Sequence, residues 1–350
     1  MWHFVLLVVC AAAIYFSCEW FVNAVEWLGR RMNVGRMAVG TILAAFGTAL
    51  PESVVTLIAV TTGGTAEARD IGVGAAMGGP LALATVAYGV TGVVLLARRR
   101  KVRAQALVAA GGGGSEDARR DEVLTEPGQA RRLAKDQRWF VAVFVVKVVL
   151  GLVAFAIKPW LGLLFFAAYA VYFWREMRGG HGEQGADEAL EPLKIQPRRE
   201  SPATWAVVVQ TLATLGVIFV ASQLFVHQLD AIGPMLGLSG AVTALLLSPI
   251  ATELPEIMNA IIWVRQGKIS LALANISGAM MIQATVPSGL GLLFTDWRFD
   301  GALLWSGIVT MIAIAYLLTI LRTDKFTPAR LSLAGGLYLV FAVGLVPVLT

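Results

Sequence analysis

The apolar residues of this chain come in blocks of about 20, the length a helix needs to cross the hydrocarbon core of a bilayer. Inside lipid no water is available to the backbone, so a lone segment of that length must satisfy its own amides and carbonyls as a helix. Ten such blocks are legible, at 2–29, 36–61, 70–97, 139–157, 159–175, 203–229, 236–264, 268–294, 301–321 and 328–349. Of 350 residues, 57% are hydrophobic and 15% charged, against roughly one quarter charged in a soluble domain. That balance excludes a soluble enzyme and a disordered chain. The short alternating segments of a transmembrane barrel are missing as well. The first block carries Glu19 and Glu26 and lacks a basic leader region, so it reads as a span and not as a cleaved signal. Cys10 and Cys18 both lie in it and are silent about disulfides or redox compartment.

Ten spans put both termini on one side. With the N-terminus outside, 24 of the 28 Lys and Arg residues fall in inner segments. Arg69, Lys158 and Arg298 fall outside, and Lys147 lies within a span. Such a split is the positive-inside pattern of membrane orientation. It predicts an integral multi-pass protein of a bacterial inner membrane, with both termini outside and segments 98–138 and 176–202 cytoplasmic. Both segments are polar, with a glycine run at Gly111–Gly114 in the first, and read as flexible connectors. The net charge of +5 then serves topology. The expected partners are the lipid bilayer and inorganic cations, with no nucleic acid. Trp139, Trp160, Trp174, Trp263 and Trp297 sit near span ends, as an aromatic belt predicts.

The chain also repeats itself. Phe46-Gly47-Thr48-Ala49-Leu50-Pro51-Glu52 recurs as Ile250-Ala251-Thr252-Glu253-Leu254-Pro255-Glu256, 204 residues on. Each copy precedes a span that opens with small residues, Gly74–Gly79 in one half and Ala274–Ala279 in the other. Five spans precede the 176–202 segment and five follow it. An odd number per half makes the two halves enter the membrane from opposite sides, an arrangement common among secondary transporters. The expected fold is an all-α polytopic membrane protein, ten transmembrane helices as two inverted-topology five-helix repeats. Residues 1–175 form the first repeat, 176–202 a cytoplasmic linker and 203–350 the second repeat.

The repeated element carries chemistry. Pro51 and Pro255 each free a backbone carbonyl inside a span. A carboxylate in a span is costly and marks an ion or proton path. Thr48 and Glu52 are four residues apart, as are Thr252 and Glu256, so each pair shares a helix face. Hydroxyl, carboxylate and carbonyl oxygens are hard ligands suited to Ca²⁺ or Na⁺. Glu253, three residues before Glu256, can face the same cavity. The competing reading makes these residues structural polar bridges between helices. His227 on the sixth span reads more readily as a helix-bridging residue than as a proton carrier. Lys147 is expected to pair with a carboxylate or to snorkel, and Glu26, near Arg30, to be interfacial.

With these residues in view, the chain resembles the Ca²⁺/cation antiporter superfamily, and most of all its sodium/calcium exchangers. The duplicated Gly-Thr-x-Leu-Pro-Glu element and the small-residue span after it carry the resemblance. It implies cation ligation by Glu52, Glu256, Thr48 and Thr252, with hinge or backbone roles for Gly47, Pro51, Gly78, Pro255 and Gly278. Where the family has serine after the motif threonine, this chain has Ala49 and Glu253. The family's next span reads Gly-Asn-x-x-Gly-Ser, with Asn or Asp four residues after the serine. The second copy keeps Asn275 and Gly278, with Ala279 for the serine and Gln283 at the Asn/Asp place. The first copy has Ala75, Gly79 and Leu83. Glu253 then restores the negative charge that Gln283 lacks, and Asn275 and Gln283 complete the expected cation set.

The implied function is secondary active antiport of Ca²⁺, or a related cation, for Na⁺ by alternating access. H⁺ is the alternative coupling ion. A member that no longer transports is a further alternative, suggested by Gly79 and Leu83. No cofactor is expected, since Ca²⁺ and Na⁺ are cargo. No enzymatic motif or phosphate-binding loop is visible.

Overall fold

A computed structural model describes residues 2–62, 66–109, 127–179, 190–237, 243–323 and 325–349. The glycine run at Gly111–Gly114 and the side chain of Pro51 lie outside the described residues. The described residues form helices joined by short non-helical segments, without a strand. Helix α1 (Trp2–Arg31) is followed by a short helical turn, a π-helical stretch (Val39–Ala44) and α2 (Ala45–Thr62). The third apolar block becomes α3 (Ala66–Ala82), a second π-helical stretch (Leu83–Ala87) and α4 (Tyr88–Ala109). Helices α5 (Pro127–Leu152), α6 (Gly162–Gly179) and α7 (Thr204–Met235) follow. A third π-helical stretch (Thr243–Leu247) leads into α8 (Ser248–Thr252) and α9 (Leu254–Gln266). The chain closes with α10 (Ile269–Phe294), α11 (Gly301–Arg322) and α12 (Pro328–Leu349).

Among the described residues, six helical stretches are long and apolar enough to cross a membrane, and a seventh qualifies if 36–58 counts as one span bent by 45°. The chain is thus an integral, multi-pass membrane protein. Helix ends follow local chemistry. Asp300 caps α11 by accepting from Leu303 N at 2.8 Å. Gly267, with φ +87°, turns α9 into α10 in the left-handed conformation that lacks a penalty only for glycine.

Helix α10 is the axis of the molecule. It packs against α2, α3, α5, α6 and α9 and buries most of its 26 residues. Its small residues allow the close approach: at Gly278 a methyl group would collide with the main chain of Thr41. At Gly78, on α3, it would meet Pro249 Cγ at 2.8 Å. Gly47 is closed in by Phe21 and Leu215 side chains. Helices α1 and α7 lie against each other, and each shows lipid-facing apolar residues such as Val8, Phe16, Val209 and Val220.

Four expectations change here. Residues 190–203 are clamped and not a free connector. Asn23 Nδ2 donates to the carbonyls of Glu191 and Pro192 at 3.2 Å, and its Oδ1 accepts from Lys194 N and Gln210 Nε2. Glu26 is buried, not interfacial. It accepts from Trp263 Nε1 at 2.7 Å and pairs with Lys268 at 2.5 Å, while Arg30 stacks over Trp27. Trp263 and Trp297 are buried and bonded, whereas Trp160 and Trp174 are exposed, as a belt requires. Lys147 neither snorkels nor meets a carboxylate: it is fully buried and bonds a backbone carbonyl, that of Ala76.

Candidate cation site

The two motif copies meet at the centre of the bundle. In the second copy the helix stops at Thr252 and restarts at Leu254. Pro255 has no amide to donate to Ala251, so the helical ladder cannot run unbroken through this point. Glu253 stands in the gap, with φ −84° and ψ 7°, outside the helical conformation. Glu256 falls in the first turn of α9, where the helix dipole favours a negative charge. In the first copy Pro51 lies within α2, and the span bends where the second copy breaks.

One carboxylate oxygen from each of Glu52, Glu253 and Glu256 lies within 4.8 Å of the other two. Glu253 and Glu256 are fully buried, and Glu52 is half-buried. Gln283 on α10 ties two of them together, donating from Nε2 to Glu253 Oε1 at 3.0 Å and to Glu52 Oε2. The far oxygens of Glu52 and Glu253, and both oxygens of Glu256, have no hydrogen-bond partner among the described residues. Three buried carboxylates at this spacing repel one another and are not stable as bare anions. Cations or protons must balance them.

Each motif threonine stands beside the glutamate of the other copy. Thr48 stands beside Glu256 and Thr252 beside Glu52. Each hydroxyl gives its proton to its own helix, Thr48 to Ala44 O at 3.1 Å and Thr252 to Pro249 O at 3.2 Å. Their oxygen lone pairs therefore stay available to a cation. Asn275 Nδ2 donates to the main-chain carbonyl of Glu256 at 3.2 Å, and its Oδ1 is unpartnered among the described residues. The donor set is thus all hard oxygen, which fits Ca²⁺ or Na⁺ and not a soft metal.

Thr48, Glu52, Thr252 and Pro255 form one wall of a small pocket. Ile218, Phe219, Ser222, Gln223 and Val226 of α7 form the other. Cys18 of α1 reaches the same motif, its Sγ 3.7 Å from Pro255 O. Leu83 is fully buried and brings no ligand atom. Exposed His227 is not among the residues lining the pocket. Asn259, one turn beyond Glu256 on α9, is fully buried with its amide unpartnered among the described residues. The sequence reading overlooked it, although an asparagine three residues after an intramembrane glutamate was a visible signal.

Comparison with known proteins converges on the same class. A family model described as "Sodium/calcium exchanger protein" matches residues 2–177 and 206–348. The candidate antiporter CaxA of Alkalimonas amylolytica is 23% identical over 326 residues, covering 92% of this chain and 90% of that protein. Inner membrane protein YrbG of Escherichia coli K12 is 24% identical, with 84% and 81% covered. Among solved structures, the sodium-calcium exchanger NCX_Mj soaked with 10 mM Na⁺ and zero Ca²⁺ superposes with a TM-score of 0.71 at 19% identity. That match covers 98% of this chain and 97% of the other, and is a likeness of fold. The family is one of membrane transporters, not enzymes, and its matched model spans nearly all of this sequence: the chain belongs to the sodium/calcium exchanger family.

Proposed function

We propose that this protein is a secondary antiporter that exchanges Ca²⁺, or a related cation, for Na⁺ by alternating access. The observation that carries the reading is the convergence of Glu52, Glu253 and Glu256 within 4.8 Å. A divalent cation takes six to eight oxygens at about 2.3–2.6 Å. The carboxylates, the hydroxyls of Thr48 and Thr252, the Asn275 amide oxygen and the proline-freed carbonyls supply candidates. Gln283 holds Glu52 and Glu253 together and reaches a cation only through its remaining oxygen.

Occupancy by one ion type at a time gives exchange. The filled site is nearly neutral, so the protein can turn it to the other side; the empty site keeps its charge and cannot cheaply do so. The cycle is read on ten spans arranged as two inverted five-span repeats. Two π-helical stretches end at Ala44 and Leu247, each about one turn before a motif threonine. Such stretches recur at functional sites. In this reading residues 1–175 and 203–350 are the two repeats, joined by a cytoplasmic 176–202 linker, and both termini lie outside.

Proton coupling is the second reading. One amide is shared by Glu52 and Glu253, so these two carboxyls stand close enough for a proton to stand in for a cation. Purified protein in liposomes separates the two. ⁴⁵Ca²⁺ uptake driven by an outward Na⁺ gradient is the expected result, and uptake driven by H⁺ alone supports the second reading. No uptake of any cation tested would mark a member that does not transport. Glu52→Gln and Glu256→Gln should each remove most of the flux while the protein still inserts. Wild-type flux in both would show that the cluster is not the transport site.

A further inference from the structure

Gly79 lies on α3, facing the break between α8 and α9. A methyl group placed on it would come 2.6 Å from Glu253 Oε1 and 3.0 Å from Gln283 Oε1. No backbone atom is among its nearest neighbours. The space a side chain at 79 would fill is the space the Glu253 carboxylate occupies. Resting on the antiporter reading, we infer that Gly79 is a specificity-determining position: by carrying no side chain it admits Glu253 to the ion site, so that α3 gives room and the helix break gives the charge.

Residue pattern and geometry agree. At 79 and at 253 the resemblance leads one to expect serines, and both are replaced. One position loses its side chain and the other gains a carboxylate, and the two changes meet in space. Gly79 is therefore half of an exchange of ligands between two helices and not a sign of decay in the first repeat. Leu83, one turn further along the chain and fully buried, adds no ligand from that side. The third negative charge of the site thus depends on a residue that touches no ion. A carboxylate on Glu253 favours a divalent cation over a monovalent one more strongly than a hydroxyl would.

The contact is with the free end of a flexible side chain. Adding a methyl group should therefore displace the Glu253 head while leaving the helices in place. Glycine to alanine inside a helix ordinarily stabilises, so a cost at 79 reports the contact itself.

The experiment is a double-mutant cycle on the full chain with Gly79→Ala, Glu253→Ser and the double variant, read by equilibrium ⁴⁵Ca²⁺ binding to purified protein. Gly79→Ala should weaken binding by roughly tenfold, within the coupling range for residues in contact. In the Glu253→Ser background the same change should cost much less, since only the Gln283 contact remains. Wild-type affinity in Gly79→Ala, or an equal cost in both backgrounds, would overturn the proposal. Thermal stability of the same four proteins supplies the second readout. Gly79→Ala that misfolds alone but folds beside Glu253→Ser supports the contact, and misfolding in both overturns it. Wild-type protein that binds no Ca²⁺ defeats the antiporter reading instead, and the stability cycle still decides the role of Gly79.

Discussion

Lys147 Nζ donates at 2.6 Å to the carbonyl of Ala76, which Pro80, four residues on in α3, leaves without its helical donor. A fully buried lysine between helices is thereby explained without a carboxylate partner. Phe144 lies under the ammonium at 5.0 Å, and Trp297 Nε1 bonds the lysine's own carbonyl at 3.2 Å. The interaction holds α5 against α3 one turn before Gly79.

Lys147→Met should therefore leave the Ala76 carbonyl unsatisfied and cost about 1–3 kcal/mol of stability. In a Pro80→Ala background residue 80 regains its amide and can bond Ala76, so the same change should cost much less. Thermal midpoints of the four proteins in one detergent check this. An equal loss in both backgrounds would show that Lys147 stabilises by packing alone.

Glu253→Ser should remove one of three site charges and weaken Ca²⁺ transport severely. Gln283 lies 3.0 Å from Glu253, so Glu253→Ser with Gln283→Asp places a carboxylate back beside Glu52 and should recover part of the flux. Non-additivity of this kind is expected of groups in contact. Flux measurements on both singles and the double decide it, and a folded double variant without recovery counts against charge replacement at this place.

Gly278→Ala should be among the most damaging small changes in the chain. The added methyl meets the Thr41 main chain, which cannot turn away as a side chain could, and the cost should reach roughly 3 kcal/mol. Gly336→Ala, with no neighbour within 4 Å, should stay within about 0.5 kcal/mol of wild type. Size-exclusion profiles and thermal midpoints compare them. Equal behaviour of the two would mean that α10 and the Val39–Ala44 stretch do not depend on this close approach.

What the sequence made legible has a physical pattern. Glu52 and Glu256 stand out because carboxylates are rare inside apolar spans, and the proline beside each marks a local break. The helical class followed from block length alone. Glu26 was misplaced because Arg30, four residues on, is its natural partner along one helix. The face that Glu26 presents is set instead by Trp263 and Lys268, more than 230 residues away in sequence. Gly79 looked like a lost ligand for a similar reason. Whether a missing side chain is a loss or a space depends on which atom from another helix fills it, and no spacing along the chain reports that. Residues 190–203 read as a connector because their bonds are made by main chain to Asn23 and Gln210, which composition does not reveal.

The central claim is that one cation is held by Glu52, Glu253 and Glu256 together. Diffraction from crystals soaked in Sr²⁺, a heavier stand-in for Ca²⁺, tests it by locating the anomalous peak. The account predicts a peak within about 2.3–2.6 Å of carboxylate oxygens from all three residues, and none there in Glu256→Gln. A strong peak elsewhere in the bundle, with the three carboxylates left unoccupied, would contradict it.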